Sequence, residues 1–515
     1  MSTRRARPLA ELNQAVLFED TAPPAKPKAP ERRIFAEPDP YQIRLGATRL
    51  DVYLESVGTR ASLRLAAALK ELDWTDFETA YSSAGAPPYA PRLMCGLVMY
   101  GLAKGVSSLR SLEELARTDL GCMWICAGIQ PDHSNIGRFV LRHEKQFEGE
   151  FFELVTRLAL KATGSTAADL AGDGTVVQAA ASRYRTLKRE ALDKKLGEAR
   201  EDAAKFPHDD DRQSRKRRYE AADSELTKRE EAREKQRKPS DTLRVSTTEP
   251  EAPVQPLKNK SFAPSYKPSV LANDKRVIVG IAVEPTSETE PLEEMLTQAE
   301  RIGGRDVEQL RLDAAYLCES VIDIALKREI SLLCTPESES GRGAGEFVKA
   351  RFQYDENRDV YICPARAELG PIRRSKSEGY VQYGTDACGQ CALRAACCPK
   401  SSRGRTLKRY PVDEPKDALR QVMSQPRAKQ EYRQRKAMVE PVFGFLACKM
   451  GLRRFRRRGL KGARAEFALF ACAYNLTRVV AVRAARVVFF CCRAIWRLTA
   501  ASVRPPTSLA PHNAC

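Results

Sequence analysis

The chain is poor in histidine and tryptophan, with four His and three Trp in 515 residues. His133, His143, His208 and His512 are scattered, and none lies in a His-Glu-x-x-His pattern. Chemistry built on imidazole is therefore thinly supplied, and carboxylates become the better catalytic candidates. No apolar run approaches the roughly 20 residues a membrane span needs. The longest uncharged stretch near the C-terminus is "FALFACAYNLT", and Arg478, Arg483, Arg486, Arg493 and Arg497 break up the apolar residues beyond it. A buried helix, or one with a positive face, is expected there, with no membrane partner. The N-terminus, "MSTRRARPLAEL", lacks the apolar segment of a secretory signal. Acids fall short of bases, 67 against 86, which leaves a net charge of +19. That excess suits a polyanionic partner, of which nucleic acid is the commonest. Cysteine is not scarce. Without an export signal, the fifteen cysteines read as free thiols or metal ligands in a reducing compartment.

Along the chain, residues 1–45 are rich in Pro, Ala and charge, as in "TAPPAKPKAPERR", and read as a disordered arm. Residues 46–165 carry apolar positions at helical spacing, and Asp132 or Ser134 can cap a helix running through Phe139. Short helices joined by polar turns fit a helix-turn-helix-like module or a plain bundle. The texture changes at Ala167, where "AADLAGDGTVVQAAAS" reads as strand, Asp-Gly turn, strand. Residues 183–238 are dense in charge and read as solvated helices, an antiparallel pair inserted between strands. "PSVLAND", "RVIVGIAVEP", "VEQLRLD" and "SLLCT" read as strands. "LEEMLTQAERIGG" and "LCESVIDIALKREI" between them read as helices. That order predicts a mixed α/β sheet. Residues 337–425 interrupt it with Gly, Pro, Cys and Arg, and the chain reads as helical again from Ala428 to Leu498.

Three acids stand out by context. Asp173 ends the first strand of the α/β region, Asp313 ends a later one, and Glu440 sits in the helical "YRQRKAMVEPVFG". An ionised carboxylate at the end of a buried strand is costly without a partner. A turn or a helix cap can supply one, and so can a metal. Three converging carboxylates suit Mg²⁺ or Mn²⁺ in phosphodiester chemistry.

The chain resembles insertion-sequence transposases of the DDE class with an InsH-like helical N-terminal domain. The likeness spans about residues 50–180 and 240–480. It rests on "YAPRLMCGLVMYGLAKGVSSLRSLEELARTDLGCMWICAGIQPDHSNIGRF", "AGDGTVVQAAAS", "LRLDAAY" and "VEPVFGFLACKMGLRRFRRRGLKGARAEFALFACAYNLTR". The resemblance implies a ribonuclease-H-like catalytic domain over residues 166–480, with insertions at 183–238 and 337–425. A basic, apolar helix and tail would follow at 481–515. It implies Asp173, Asp313 and Glu440 as the catalytic, metal-holding acids. Tyr432, Arg435 and Lys436 would then contact DNA around the third acid. Ala315 stands where the family usually has Gly, while Tyr316 is retained. The substrate implied is double-stranded DNA, both element ends and target, cut by a homo-oligomer in the bacterial cytoplasm. A non-catalytic DNA-binding descendant is the alternative.

Two more features carry chemistry. "RRFRRRGLKGAR" holds Arg453, Arg454, Arg456, Arg457, Arg458 and Lys461, which can neutralise phosphates, and Phe455, which can stack on a base. Cys363, Cys388, Cys391 and Cys397 (or Cys398) form a candidate four-thiolate zinc set around a Cys-x-x-Cys half-site.

Overall fold

The computed structural model describes residues 34–82, 85–257, 259–335, 347–376, 379–399 and 401–502, with side chains as far as Arg486, Ala350 excepted. Most of the expected N-terminal arm lies outside these residues. Arg44–Leu45 and Thr48–Arg49, on either side of the arm's end, pair as a small hairpin. Helices follow, among them α1 (Pro91–Ala103), α2 (Leu109–Thr118), α3 (His133–Arg142) and α4 (Glu150–Thr163). Asp132 caps α3 as anticipated, its carboxylate accepting the Asn135 N–H at 2.7 Å.

The central sheet begins with β1 (Asp169–Gly174). Leu170, Ala171 and Gly172 are all buried, so this strand is covered on both faces and shows no alternation. The expected Asp-Gly hairpin does not form. The Thr175 N–H bonds to the Pro268 carbonyl at 3.0 Å, and Val177–Gln178 pairs with Ser265 and Tyr266. Both segments therefore lie end to end along one edge of the same long strand. The charged insertion is the antiparallel pair α5 (Arg189–Lys205) and α6 (Asp210–Lys235). Leu192, Ala222, Leu226 and Val245 give it a small core of its own.

Next come β2 (Phe262–Asn273) and β3 (Ile278–Glu284), then α7 (Leu292–Gly303), which Gly304 stops in a left-handed cap at φ 64°. Then β4 (Gln309–Leu312), α8 (Glu319–Lys327) and β5 (Ser331–Cys334) complete the unit. The strand order is β5-β4-β1-β2-β3; β5, β4 and β1 are parallel, while β2 runs antiparallel to both β1 and β3. This is the mixed sheet the element order predicts.

Residues 353–409 hold a second, five-stranded antiparallel sheet that the sequence reading did not resolve into strands. Phe352, Tyr361, Leu369, Tyr383 and Leu407 form its core. Two helices end the fold, α9 (Pro426–Cys448) and α10 (Gly459–Ser502). Pro441 lies inside α9 and lacks the N–H that would bond the Ala437 carbonyl. The Arg276 Nε donates to that carbonyl at 3.0 Å instead. Gly459–Arg486 is long and apolar enough to cross a membrane, but most of it is buried in the protein, against α4, α1 and β3. One apolar core runs from Leu50 to Val479 through both the helical and the sheet regions.

Candidate active site

Parallel pairing of β1 with β4 aligns Asp169 with Gln309 and Ala171 with Arg311. Two residues further along each strand stand Asp173 and Asp313. Register thus closes a gap of 140 residues in sequence. Gly172 lets the strands approach: a Cβ there would lie 2.5 Å from a Leu312 methyl. Asp313 is also a cap, its carboxylate accepting the Ala315 N–H at 3.0 Å ahead of a single 3₁₀ turn. The turn buries Tyr316 beside the two acids.

Burial raises the Asp173 pKa above the ordinary carboxylate value. The Arg435 guanidinium, 3.6 Å away, and the Gly174 N–H act the other way, while Asp313 and Glu288 add like-charge repulsion. Burial and the thiol's proximity to Asp313 push the Cys334 pKa up to about 12, so it stays a neutral S–H that donates to the Asp313 carbonyl at 3.0 Å.

Glu288 was missed by the sequence reading. It sits in the loop before α7, paired with Lys267 at 3.1 Å. Its carboxyl occupies the space beside Gly174, where an added Cβ would come within 2.7 Å of it. The one available signal was that glycine: its bare α-carbon makes room for a carboxyl.

Glu440 is exposed on α9 and shares the solvent face with Arg433 and Lys436. Five residues earlier on the same helix, Arg435 faces the sheet. It is 8% exposed and also donates to the Gly172 carbonyl at 3.3 Å. Its expected place on DNA is corrected accordingly: it is turned inward and neutralises Asp173. Tyr432 also faces in, its hydroxyl 3.2 Å from that of Thr335 at the end of β5. Among the described residues no three His, Cys, Asp or Glu side chains converge closely enough to hold a metal. The donor chemistry still fits a hard divalent cation, because two carboxylates stand at matching positions of adjacent strands, near enough for Asp313 to act on the Asp173 pKa.

The basic segment is more tied down than its composition suggests. Phe455 is 1% exposed and packs against Tyr266, so it cannot stack on a base. The Arg454 guanidinium donates to the Ala179, Ala180 and Ala181 carbonyls. Arg457 pairs with the buried Glu144, and Lys461 approaches the same carboxylate at 2.9 Å. The Arg456 Nε donates to the Ser107 hydroxyl at 2.8 Å. Glu466, its pKa raised by burial, accepts the Arg456 and Arg457 backbone N–H groups at 2.8 and 2.9 Å. Arg453 and Arg458 are exposed.

Cys363, Cys388, Cys391, Cys397 and Cys398 line one cavity of about 30 Å³ in the second sheet region. The Ala367 N–H points at the Cys363 sulfur, 3.3 Å away. The donors suit zinc, although no three of them stand at metal-holding separation in this structure.

Residues 362–480 match the family described as Transposase DDE domain, and residues 55–142 match Transposase domain (DUF772). The first match contains Glu440 and the basic segment, but neither Asp173 nor Asp313. A DDE domain implies a ribonuclease-H-like fold, and the mixed sheet is compatible with one. No curated protein and no solved structure matches the chain.

Proposed function

We propose, on the support of the two family matches, that the chain is an insertion-sequence transposase of the DDE class that binds its element's terminal inverted repeats, hydrolyses the phosphodiester at each end and joins the freed 3′-hydroxyl to target DNA. The observation that supports this reading is the register that sets Asp173 at the end of β1 beside Asp313 just after β4. On this reading Asp173, Asp313 and Glu440 hold Mg²⁺ or Mn²⁺. Bound there, the ion supplies activation of the attacking oxygen and charge for the leaving one.

The chain's own residues do the rest. Arg435 offsets part of the cost of holding the Asp173 charge inside a partly buried site. The strand pairing fixes the separation of the two carboxylates. Lys436, Arg453 and Arg458 present cations on the solvent side, where phosphates can be held. Two ends must be cut together, so a homo-oligomer on DNA is part of the proposal, as is a place in the bacterial cytoplasm on nucleoid DNA. The helices of residues 46–165 are proposed as the end-reading module. The cysteine cavity is proposed as a zinc site whose sulfurs close on the ion. About one equivalent of zinc in reduced protein, released by Cys388→Ser, is the expected metal analysis.

The deciding experiment incubates labelled element ends with Mg²⁺. Asp173→Asn, Asp313→Asn and Glu440→Gln should each abolish cleavage and leave end binding intact. Asp323→Asn, an exposed change on α8, should cut normally. Cleavage by Asp313→Asn at the unaltered rate would remove that residue from the site. The exposed position of Glu440, without an ion pair among the described residues, favours one second reading, a non-catalytic DNA-binding protein. End binding without cleavage in either metal would establish it.

A further inference from the structure

Together α5 and α6 contain 14 basic and 13 acidic residues, which by itself describes a solvated pair of helices. Along most of the hairpin the charges are matched. Arg189 pairs with Asp223 and Glu230, both at 2.5 Å, and Arg200 with Glu220 at 3.5 Å. On one flank they are not. There Thr186–Leu187 pairs with Val245–Ser246, and a cavity of about 330 Å³ opens beside that ribbon. Arg185, Lys195, Arg215 and Arg218 line it, and no acid does. Arg215 reaches Asp202 at 3.6 Å, whereas Arg185, Lys195 and Arg218 are exposed and have no ion pair among the described residues. The remaining lining includes Tyr184, Thr247 and Thr248. Tyr184 is 79% exposed, with the Arg183 guanidinium stacked 4.7 Å from its ring centre.

We propose that this pocket on the flank of the helical hairpin binds the phosphate backbone of duplex DNA, as a site separate from the carboxylates and from the 453–461 segment. The chemistry is that of phosphate recognition: clustered guanidinium and ammonium donors, three of them without an ion pair among the described residues. The exposed tyrosine adds a flat surface for a sugar or base edge. Position supports the same partner. The Gln178 N–H bonds to the Arg453 carbonyl at 3.3 Å, and Arg454 clasps Ala179–Ala181. The pocket opens three residues later at Tyr184. One stretch of chain, from Asp173 to Arg185, thus leads from the carboxylates past the basic segment into the pocket. The inference rests on DNA being the substrate, but not on the chain being catalytically active.

The test compares two triple variants of the full chain that remove equal charge from exposed positions. One is Arg185→Ala, Lys195→Ala, Arg218→Ala in the pocket. The other is Lys194→Ala, Lys228→Ala, Lys235→Ala elsewhere on the hairpin. Affinity for duplex DNA is measured by fluorescence anisotropy over a salt series, with helical content checked by circular dichroism. Each phosphate contact contributes about 0.9 to the slope of log affinity against log salt. The pocket variant should lose between about one and three in slope, and the control a few tenths at most. An unchanged slope in the pocket variant overturns the proposal. Equal losses in both variants overturn it too, since net charge then accounts for everything. If unaltered protein binds duplex but never cuts, the catalytic reading falls and this one stands. Failure to bind duplex at all sinks both.

Discussion

At the scale of single residues, Asp173 carries the largest physical consequence. Its pKa is raised because burial outweighs the help of Arg435. A carboxylate raised in the folded state takes up protons more readily folded than unfolded. Protonation therefore supports the fold at low pH, and that support is lost as pH rises through the folded pKa. At neutral pH the charge on Asp173 is a cost. Without divalent cations, Asp173→Asn should melt at a higher temperature than the unaltered protein at pH 7. The difference should shrink as pH falls into the ordinary carboxylate range. Adding Mg²⁺ or Mn²⁺ should reverse the order, because only the unaltered site gains from the ion, by about 2.7 kcal/mol at a hundredfold excess over Kd. Thermal scans of both proteins, with and without metal, check this; identical curves would mean Asp173 bears no functional charge. The strands on whose ends Asp173 and Asp313 stand were legible in the sequence, whereas a role for the two acids came only from the resemblance. Which way Arg435 and Phe455 face was not legible, because a charge or a ring in a helix or loop looks alike whether it meets solvent or sheet.

At the scale of elements, the central strands and their helices follow from apolar periodicity and from stops such as Gly304. The second sheet did not, because its strands run from three to eight residues and share a five-residue core. Such segments carry too few apolar positions for alternation to register against their charge. The joint between α10 and the sheet shows how precisely elements are fitted. Asn475, fully buried, accepts the Ile278 N–H at 3.0 Å and donates to the Ile278 carbonyl at 2.8 Å and the Thr156 hydroxyl at 3.0 Å. It serves β3 where the pairing with β2 slips at Leu271 and Ala272. Asn475→Ala should cost about 1–3 kcal/mol for each backbone group left orphaned. Denaturant titration should show a lower midpoint. A loss within error would mean that water replaces the amide.

At the scale of the whole molecule, the expected division at residue 165 meets a core that does not divide there. Buried residues from Leu50 to Val479 form one cluster, and α10 packs on the helical region and on β3 alike. Residues 46–165 produced alone should therefore fail to hold their tertiary structure, and the full chain should lose helical and sheet regions in one transition. Near-ultraviolet circular dichroism of the fragment and calorimetry of the chain measure this. A well-folded fragment would restore an independent N-terminal domain.

The long helix α10 has a further consequence. A rod packed on both the N-terminal helices and the sheet works as a ruler. If the N-terminal helices read the element end, the carboxylates reach the duplex at one fixed offset from the sequence being read. The length between recognised bases and cut bond then belongs to the protein. An element end with bases inserted between the two should still be bound, yet be cut inside itself, displaced by the inserted length.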